Sequence, residues 1–306
     1  MSLVAFVLIV LSAALHATWN LLAKKSSMSV PFYALMCTVS AVAWLHVQFW
    51  TPIPLSSVPL KFWGMTLSSV FCDSCFYCVG LVLTYRYFEI STAYPVMRSL
   101  PILMTAAAVG MLGLGTPLSG MAKFGFPIVF IGAMLMPLAK FSDFKLSNYF
   151  RREMLYVLLT ACGTTGYTIF DSQAQKALGD FVAAAELNTS KEMVSLTYYS
   201  TRGICLSSTM WILSMATLEN RKAIRSLWKN LSFNPILGGI CGSGTYVLVL
   251  IAMNYVTNVS YVQVFRQLGL PIGMLGGIWF LKERCTATKI VGVTLILLGL
   301  TLSVLK

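Results

Sequence analysis

Charge is what this sequence has least of. Asp, Glu, Lys and Arg make up 10% of the 306 residues, against 57% hydrophobic ones. A soluble domain carries roughly a quarter charged residues, so lipid must solvate most of this chain. Acidic residues are the scarcer sign, 10 against 22 basic. The net charge of +12 does not point to nucleic acid, because the basic residues sit in short gaps between apolar runs, often as pairs such as Lys24-Lys25 and Arg151-Arg152. That distribution is the orientation signal of a membrane protein.

Other absences narrow the chemistry. Histidine occurs only at His16 and His46, too far apart for the H-E-x-x-H site of a metalloprotease. No G-x-x-x-x-G-K-[ST] loop is present, nor a soluble domain to house one, so nothing supports an ATP-driven machine. A G-x-S-x-G elbow and paired acidic motifs for Mg²⁺ are missing too, which disfavours a membrane-embedded enzyme. A channel or scaffold would show a filter or a ring of repeated polar groups, and neither is visible. The 8 cysteines fall mostly inside apolar runs, where a thiol behaves as a small hydrophobe. The run Cys72-Asp-Ser-Cys75-Phe-Tyr-Cys78 has the spacing of a soft metal site but no fourth thiolate. It reads as small residues for helix packing, as do Gly110-x-x-Gly113, Gly238-Gly239, Gly242-x-Gly244 and Gly273-x-x-Gly276-Gly277. No catalytic residue, metal or cofactor is expected.

What is present is a series of stretches long enough to span. About 20 mostly apolar residues cross a bilayer, and ten stretches qualify: 3–23, 31–50, 62–85, 91–113, 120–140, 153–173, 193–218, 233–256, 259–281 and 287–305. The first lacks a basic n-region and reads as a span rather than a leader. The connections 141–152 and 174–192 are among the longer ones. Counted over alternate loops, fourteen Lys and Arg fall on one side and five on the other. This puts the odd-numbered loops in the cytoplasm and both termini outside.

The chain also matches itself. A shift of 168 lays YRYFEISTAYPVMRSLP (85–101) over MNYVTNVSYVQVFRQLG (253–269), with Arg98 on Arg266. A shift of 167 matches Gly125 with Gly292 and Gly132 with Gly299; a shift of 151 sets Asn20 on Asp171. The halves, 1–150 and 151–306, each hold five helices. Five is odd, so the second half enters the membrane upside down, an inverted-topology repeat suited to alternating access.

On HATWNLLAKKS (16–26), AYPVMRSLPIL (93–103), GYTIFDSQA (166–174) and VFRQLGLPIGMLGGIWFLKERCTATKIVGVTLILLGL (264–300), the chain resembles the EamA-like ten-helix branch of the drug/metabolite transporter superfamily. The resemblance implies an all-α membrane protein, two inverted five-helix halves around a central cavity, and movement of small metabolites by proton coupling or exchange.

Ionisable residues inside spans cost about 2.5–3.5 kcal/mol on insertion scales and are functional candidates by default. They are Arg98, Arg202, Arg266, Asp73, Asp171, His16 and His46. Arg98 and Arg266 each lie about seven residues into a helix, roughly 10 Å deep, entering from opposite faces. Pro101 frees the carbonyl of Met97 and Pro271 that of Gln267, so each Arg adjoins an opened turn. Arg offers a planar fork for carboxylate or phosphate, and helix ties are the competing account. Trp19, Asn20, His16, Tyr94 and Tyr167 are candidate pocket residues. Asp73 and Asp171 are candidates for binding a coupling proton or neutralising an Arg, with Asp171 falling toward an interface. His46, beside Trp44 and Trp50, reads as interfacial. Three intramembrane Arg against two Asp favour an amino acid or organic anion as substrate; export of cationic or amphipathic drug-like compounds is the other transport reading. The expected partners are a small-molecule substrate, the lipid bilayer and a coupling proton, with no nucleic acid, in a monomer or homodimer. The expected location, for want of long tails or retrieval signals, is a bacterial inner (plasma) membrane.

Overall fold

The computed structural model describes residues 2–23, 29–87, 90–145, 152–229, 233–281 and 285–305. Within them, 17–23, 90–95, 228, 276–277 and 280–281 are described by backbone alone. Among the described residues the regular structure is entirely helical. Each of the ten apolar stretches is helical: α1 (Leu3–Ala23), α2 with α3 (Val30–Trp44, Val47–Trp50), α4 with α5 (Leu60–Phe71, Val79–Tyr87), α6 (Ile90–Met111), α7 (Gly120–Leu135), α8 (Met154–Ala184), α9 (Lys191–Ala216), α11 (Asn234–Met253), α12 with α13 (Ser260–Phe265, Gly269–Leu281) and α14 (Ala287–Val304). Hydroxyl caps start several of them, with Ser29, Ser119, Ser190 and Thr286 accepting from the backbone N–H three residues on, the usual partner of an orphan first-turn donor.

Four described helical stretches are long and apolar enough to cross a membrane: Val30–Trp50, Leu60–Tyr87, Asn234–Met253 and Ala287–Val304. The helices α8 and α9, of 31 and 26 residues, are long enough but less apolar, for a structural reason. Their polar residues face inward: Thr160, Thr165, Thr168, Asp171 and Gln175 on α8, and Ser195, Thr197, Ser200, Thr201 and Arg202 on α9, are buried. Conversely, Phe49, Trp50, Leu60, Met111, Phe124 and Trp279 are exposed. A molecule with hydroxyls inside and large hydrophobes outside suits an apolar solvent and makes membrane association the natural setting.

Several details depart from the sequence expectations. The connection 174–192 is mostly helix, since α8 continues to Ala184; buried Ala174, Gln175, Ala177 and Leu178 keep an inward face. The loop after α9 holds a further helix, α10 (Leu218–Lys229), whose Leu227 packs on Phe32 and Met36 while Lys222, Arg225 and Lys229 stay exposed. The stretch 62–85 is one rod interrupted by a π-helical turn, Cys72–Cys78. The rod 259–281 tightens to a 3-10 turn at Arg266–Leu268, beside Pro271 as expected, whereas α6 runs through Pro101 without a break.

The glycine expectations are corrected more sharply. A Cβ at Gly110, Gly113, Gly242 or Gly244 would meet nothing within 4 Å, so those pairs do not mediate packing. Gly113, at φ +64 just past α6, supplies a left-handed backbone instead. Of the expected positions Gly239 does mediate close packing, and the other close helix crossings use glycines outside that set. A Cβ on Gly125 would lie 2.5 Å from the Gly299 carbonyl oxygen, and one on Gly132 would lie 2.7 Å from that of Gly292; thus α7 and α14 touch backbone to backbone and run antiparallel. Gly163 and Gly166 of α8 admit the π turn in the same way, at Tyr77 and Cys72, and Gly239 of α11 admits α2 at Met36 and Val39.

These spacings set a direct contrast. Gly132→Leu and Gly299→Leu are expected to destabilise the fold by roughly 1–3 kcal/mol each, the usual cost of overpacking. Gly64→Ala, in open space within α4, should instead gain about 0.5–1 kcal/mol of helix propensity. Thermal unfolding in detergent reads the difference; equal midpoints for all three would refute the close crossing.

Candidate functional site

Three pairs of polar residues, each four apart on one helix face, build the centre of the molecule. Ser69 and Asp73 lie on the α4 rod, Tyr167 and Asp171 on α8, and Tyr198 and Arg202 on α9. They converge on the guanidinium of Arg202. Its Nη2 donates to Asp73 Oδ2 at 2.7 Å, and its Nε donates to Asp171 Oδ1 at 3.0 Å and to Ser69 Oγ at 2.9 Å. Asp171 Oδ1 also accepts from Tyr198 at 2.5 Å and from Ser69, and its Oδ2 accepts from Tyr246 of α11. Asp73 Oδ1 accepts from Tyr33 of α2 at 3.0 Å. All three charged groups are buried, Asp171 completely. Removing ions from water costs several kcal/mol apiece, and here nearly every polar atom has a partner to offset that cost.

Tyrosines surround this cluster. The Arg202 guanidinium carbon sits 5.4 Å from the centroid of Tyr246 and 5.8 Å from that of Tyr167. Tyr167 in turn meets Tyr77 and Tyr246 edge-on at 5.8 and 5.9 Å. Tyr199 is held by Ser40, 2.6 Å between oxygens. Together with Asp73 and Arg202 these rings line a cavity of about 170 Å³, which also reaches His16 of α1 and Arg266.

The two arginines of the repeat, one from each half, also approach this cavity. Arg266 also stands over Tyr246, 5.9 Å from the ring centroid. Arg98 Nη1 is 3.3 Å from His16 Nε2, and the Arg98 carbonyl accepts from Gln267 Nε2 at 3.0 Å. Among the described residues neither arginine has a carboxylate within salt-bridge distance, and Arg98 Nε and Gln267 Oε1 are buried without a partner.

The structure therefore brings His16, Asp73, Tyr167 and Arg266 to one cavity, with Arg98 reaching it through His16. Asp171 does not lie toward an interface, as its sequence position suggested; it is sealed behind the cavity wall because Ser69, Tyr198, Tyr246 and Arg202 close over it. Trp19, Asn20 and Tyr94 lie outside the residues whose side chains are described. His46 is exposed beside Trp44 and Trp50. Sequence reasoning missed the central part of Arg202, and with it Ser69, Tyr198, Tyr33 and Tyr246. The i, i+4 spacing of Ser69 with Asp73 and of Tyr198 with Arg202 was the available signal; a lone Tyr in an apolar run, such as Tyr246, carries none.

No family model and no curated protein matches this chain. A solved structure described as "Crystal structure of protein" is similar in fold, with a TM-score of 0.61 and 15% identity over 99% of this chain and 96% of its own length. At that identity the likeness is one of architecture alone.

The cluster predicts unequal costs for its members. Asp171→Ala leaves Ser69 and two tyrosyl hydroxyls without their acceptor and takes one of its two carboxylates from Arg202, and should cost about 3–5 kcal/mol, as breaking a buried ion pair does. Tyr33→Phe removes a single hydrogen bond and should cost about 1 kcal/mol. Thermal melts of the purified variants test this, and equal small losses would show that Asp171 is not the anchor.

Proposed function

We propose that the chain is a secondary transporter that carries a small carboxylate- or phosphate-bearing metabolite, amino acids and organic anions first, by alternating access. The observation that carries this reading is the pair Arg98 and Arg266, which flank the cavity without a carboxylate partner among the described residues. Both aspartates are paired with Arg202, which leaves the two arginines related by the repeat without an acidic partner among the described residues. Guanidinium forks are suited to carboxylate and phosphate.

The architecture we propose is ten spans in two inverted halves, as in the drug/metabolite transporters the sequence resembles. Support comes from reciprocal packing. Number the rods one to ten and exchange each with the rod five places away. Contact of α1 with α11 then becomes contact of α8 with the α4 rod, and contact of α6 with α8 becomes contact of α13 with α1; all four occur. The glycines obey the same exchange, since Gly125 against Gly299 maps onto Gly292 against Gly132. Likewise Ser12 bonding the Thr245 carbonyl maps onto Gly163 against Tyr77. A two-fold axis lying in the membrane plane accounts for these correspondences.

Cavity size favours a metabolite over a drug, because about 170 Å³ falls below the roughly 300–1,000 Å³ of drug-sized pockets. A cationic substrate is disfavoured for a second reason. Arg202 already stands over Tyr167 and Tyr246, and Arg266 over Tyr246, so a further cation would meet two guanidiniums that line the cavity.

A thermal-shift series with anionic, zwitterionic and cationic metabolites tests the reading. A ligand at a hundred times its Kd stabilises the folded protein by about 2.7 kcal/mol. Anionic or zwitterionic compounds should raise the midpoint of the wild type and lose that effect in Arg98→Ala and Arg266→Ala. Stabilisation by cationic compounds, retained in both variants, would refute it.

A further inference from the structure

Both buried aspartates touch Arg202, yet their surroundings differ in a way that separates their roles. Asp171 accepts from four donors, is completely buried and does not line the cavity. Asp73 accepts from two, Arg202 and Tyr33, and forms part of the cavity wall. It is also carried on the π-helical turn Cys72–Cys78, a local irregularity of a kind frequent at functional sites. This turn is seated by design of the neighbouring helix: a Cβ on Gly163 would lie 2.3 Å from the Tyr77 amide nitrogen, and one on Gly166 would lie 2.5 Å from Cys72 Sγ. The groups facing Asp73 are Tyr33 and Cys37 of α2, Asp171 of α8, Tyr199 and Arg202 of α9, and Cys72, Tyr77 and Cys78 of its own segment.

We infer that Asp73 is the proton-binding site of the protein, with Asp171 the fixed counter-ion that keeps Arg202 in place whether or not Asp73 is charged. A proton arriving through the cavity adds to Asp73 Oδ1, and the Tyr33 hydroxyl turns from donor to acceptor, a reversal open to a phenol. Arg202 stays paired with Asp171, so no charge is left unpaired when Asp73 becomes neutral. The change in the cavity is one negative charge lost opposite Arg98 and Arg266. A proton and an anion therefore favour each other's binding, whereas a cation would compete with the proton. This consequence deepens the anion-transport reading and rests on it; the protonation of Asp73 does not.

Infrared spectroscopy of the full chain in detergent, titrated from mildly alkaline to mildly acidic buffer, tests the assignment without any substrate. The wild type should gain the C=O band of a protonated carboxylic acid on acidification, and Asp73→Asn should lose it. In Tyr33→Phe the band should remain and move in frequency, because the carboxyl group has lost its phenolic partner. A wild type without a titrating carboxyl band, a band that persists in Asp73→Asn, or one unmoved in Tyr33→Phe would each overturn the inference. Because the readout is the carboxyl group itself, its failure is distinct from the failure of metabolites to stabilise the protein.

Discussion

The structure depends on one buried cation. A guanidinium cannot be left unpaired away from water, so Arg202 dictates what surrounds it: Asp73 and Ser69 from the α4 rod, Asp171 from α8, and through Asp171 the hydroxyls of Tyr198 and Tyr246. Those bonds bring α4, α8, α9 and α11 to one point, and Tyr33 adds α2. The polar centre thereby fixes helix positions that dispersion between apolar faces would leave free to slide. In lipid this matters more than in water, since there is little hydrophobic force to drive one helix onto another.

The same pairing shapes the cavity. With both aspartates committed to Arg202, the arginines of the repeat, Arg98 and Arg266, stand beside His16 and Tyr246 with no carboxylate partner among the described residues. Around this centre the helices approach by omission of side chains. Gly125 and Gly132 against Gly299 and Gly292, and Gly163 against the π turn, bring backbones to distances that a Cβ would forbid. Polar pairing sets which helices meet, and glycine sets how closely.

Much of this was legible in the sequence, and the remainder was hidden for physical reasons. Apolar run length marked all ten helical stretches, and the scarcity of ionisable residues drew attention to Arg98, Arg266, Asp73 and Asp171. Partnership was not legible. Three arginines and two aspartates allow several pairings, and nothing local tells that Arg202 takes both acids. Hydropathy also misjudged ends, because α8 keeps a buried face through Gln175 and Leu178 past the polar residues that seemed to stop it. The amphipathic α10 was lost in a loop counted only for its basic charge. Glycine spacing misled as well. Gly110-x-x-Gly113 has the packing pattern but faces open space, while the Gly125 and Gly132 that do pack were visible only as members of the repeat.

The central claim, that the cavity conducts anions by way of the repeat arginines, is tested most directly by charge movement. Proteoliposomes on a solid-supported membrane can be exposed in turn to carboxylic acids, amino acids, organic phosphates and quaternary amines while transport current is recorded. The account predicts currents with carboxylates or phosphates that vanish in Arg98→Ala and Arg266→Ala. Currents elicited by quaternary amines alone, and unchanged in those variants, would contradict it.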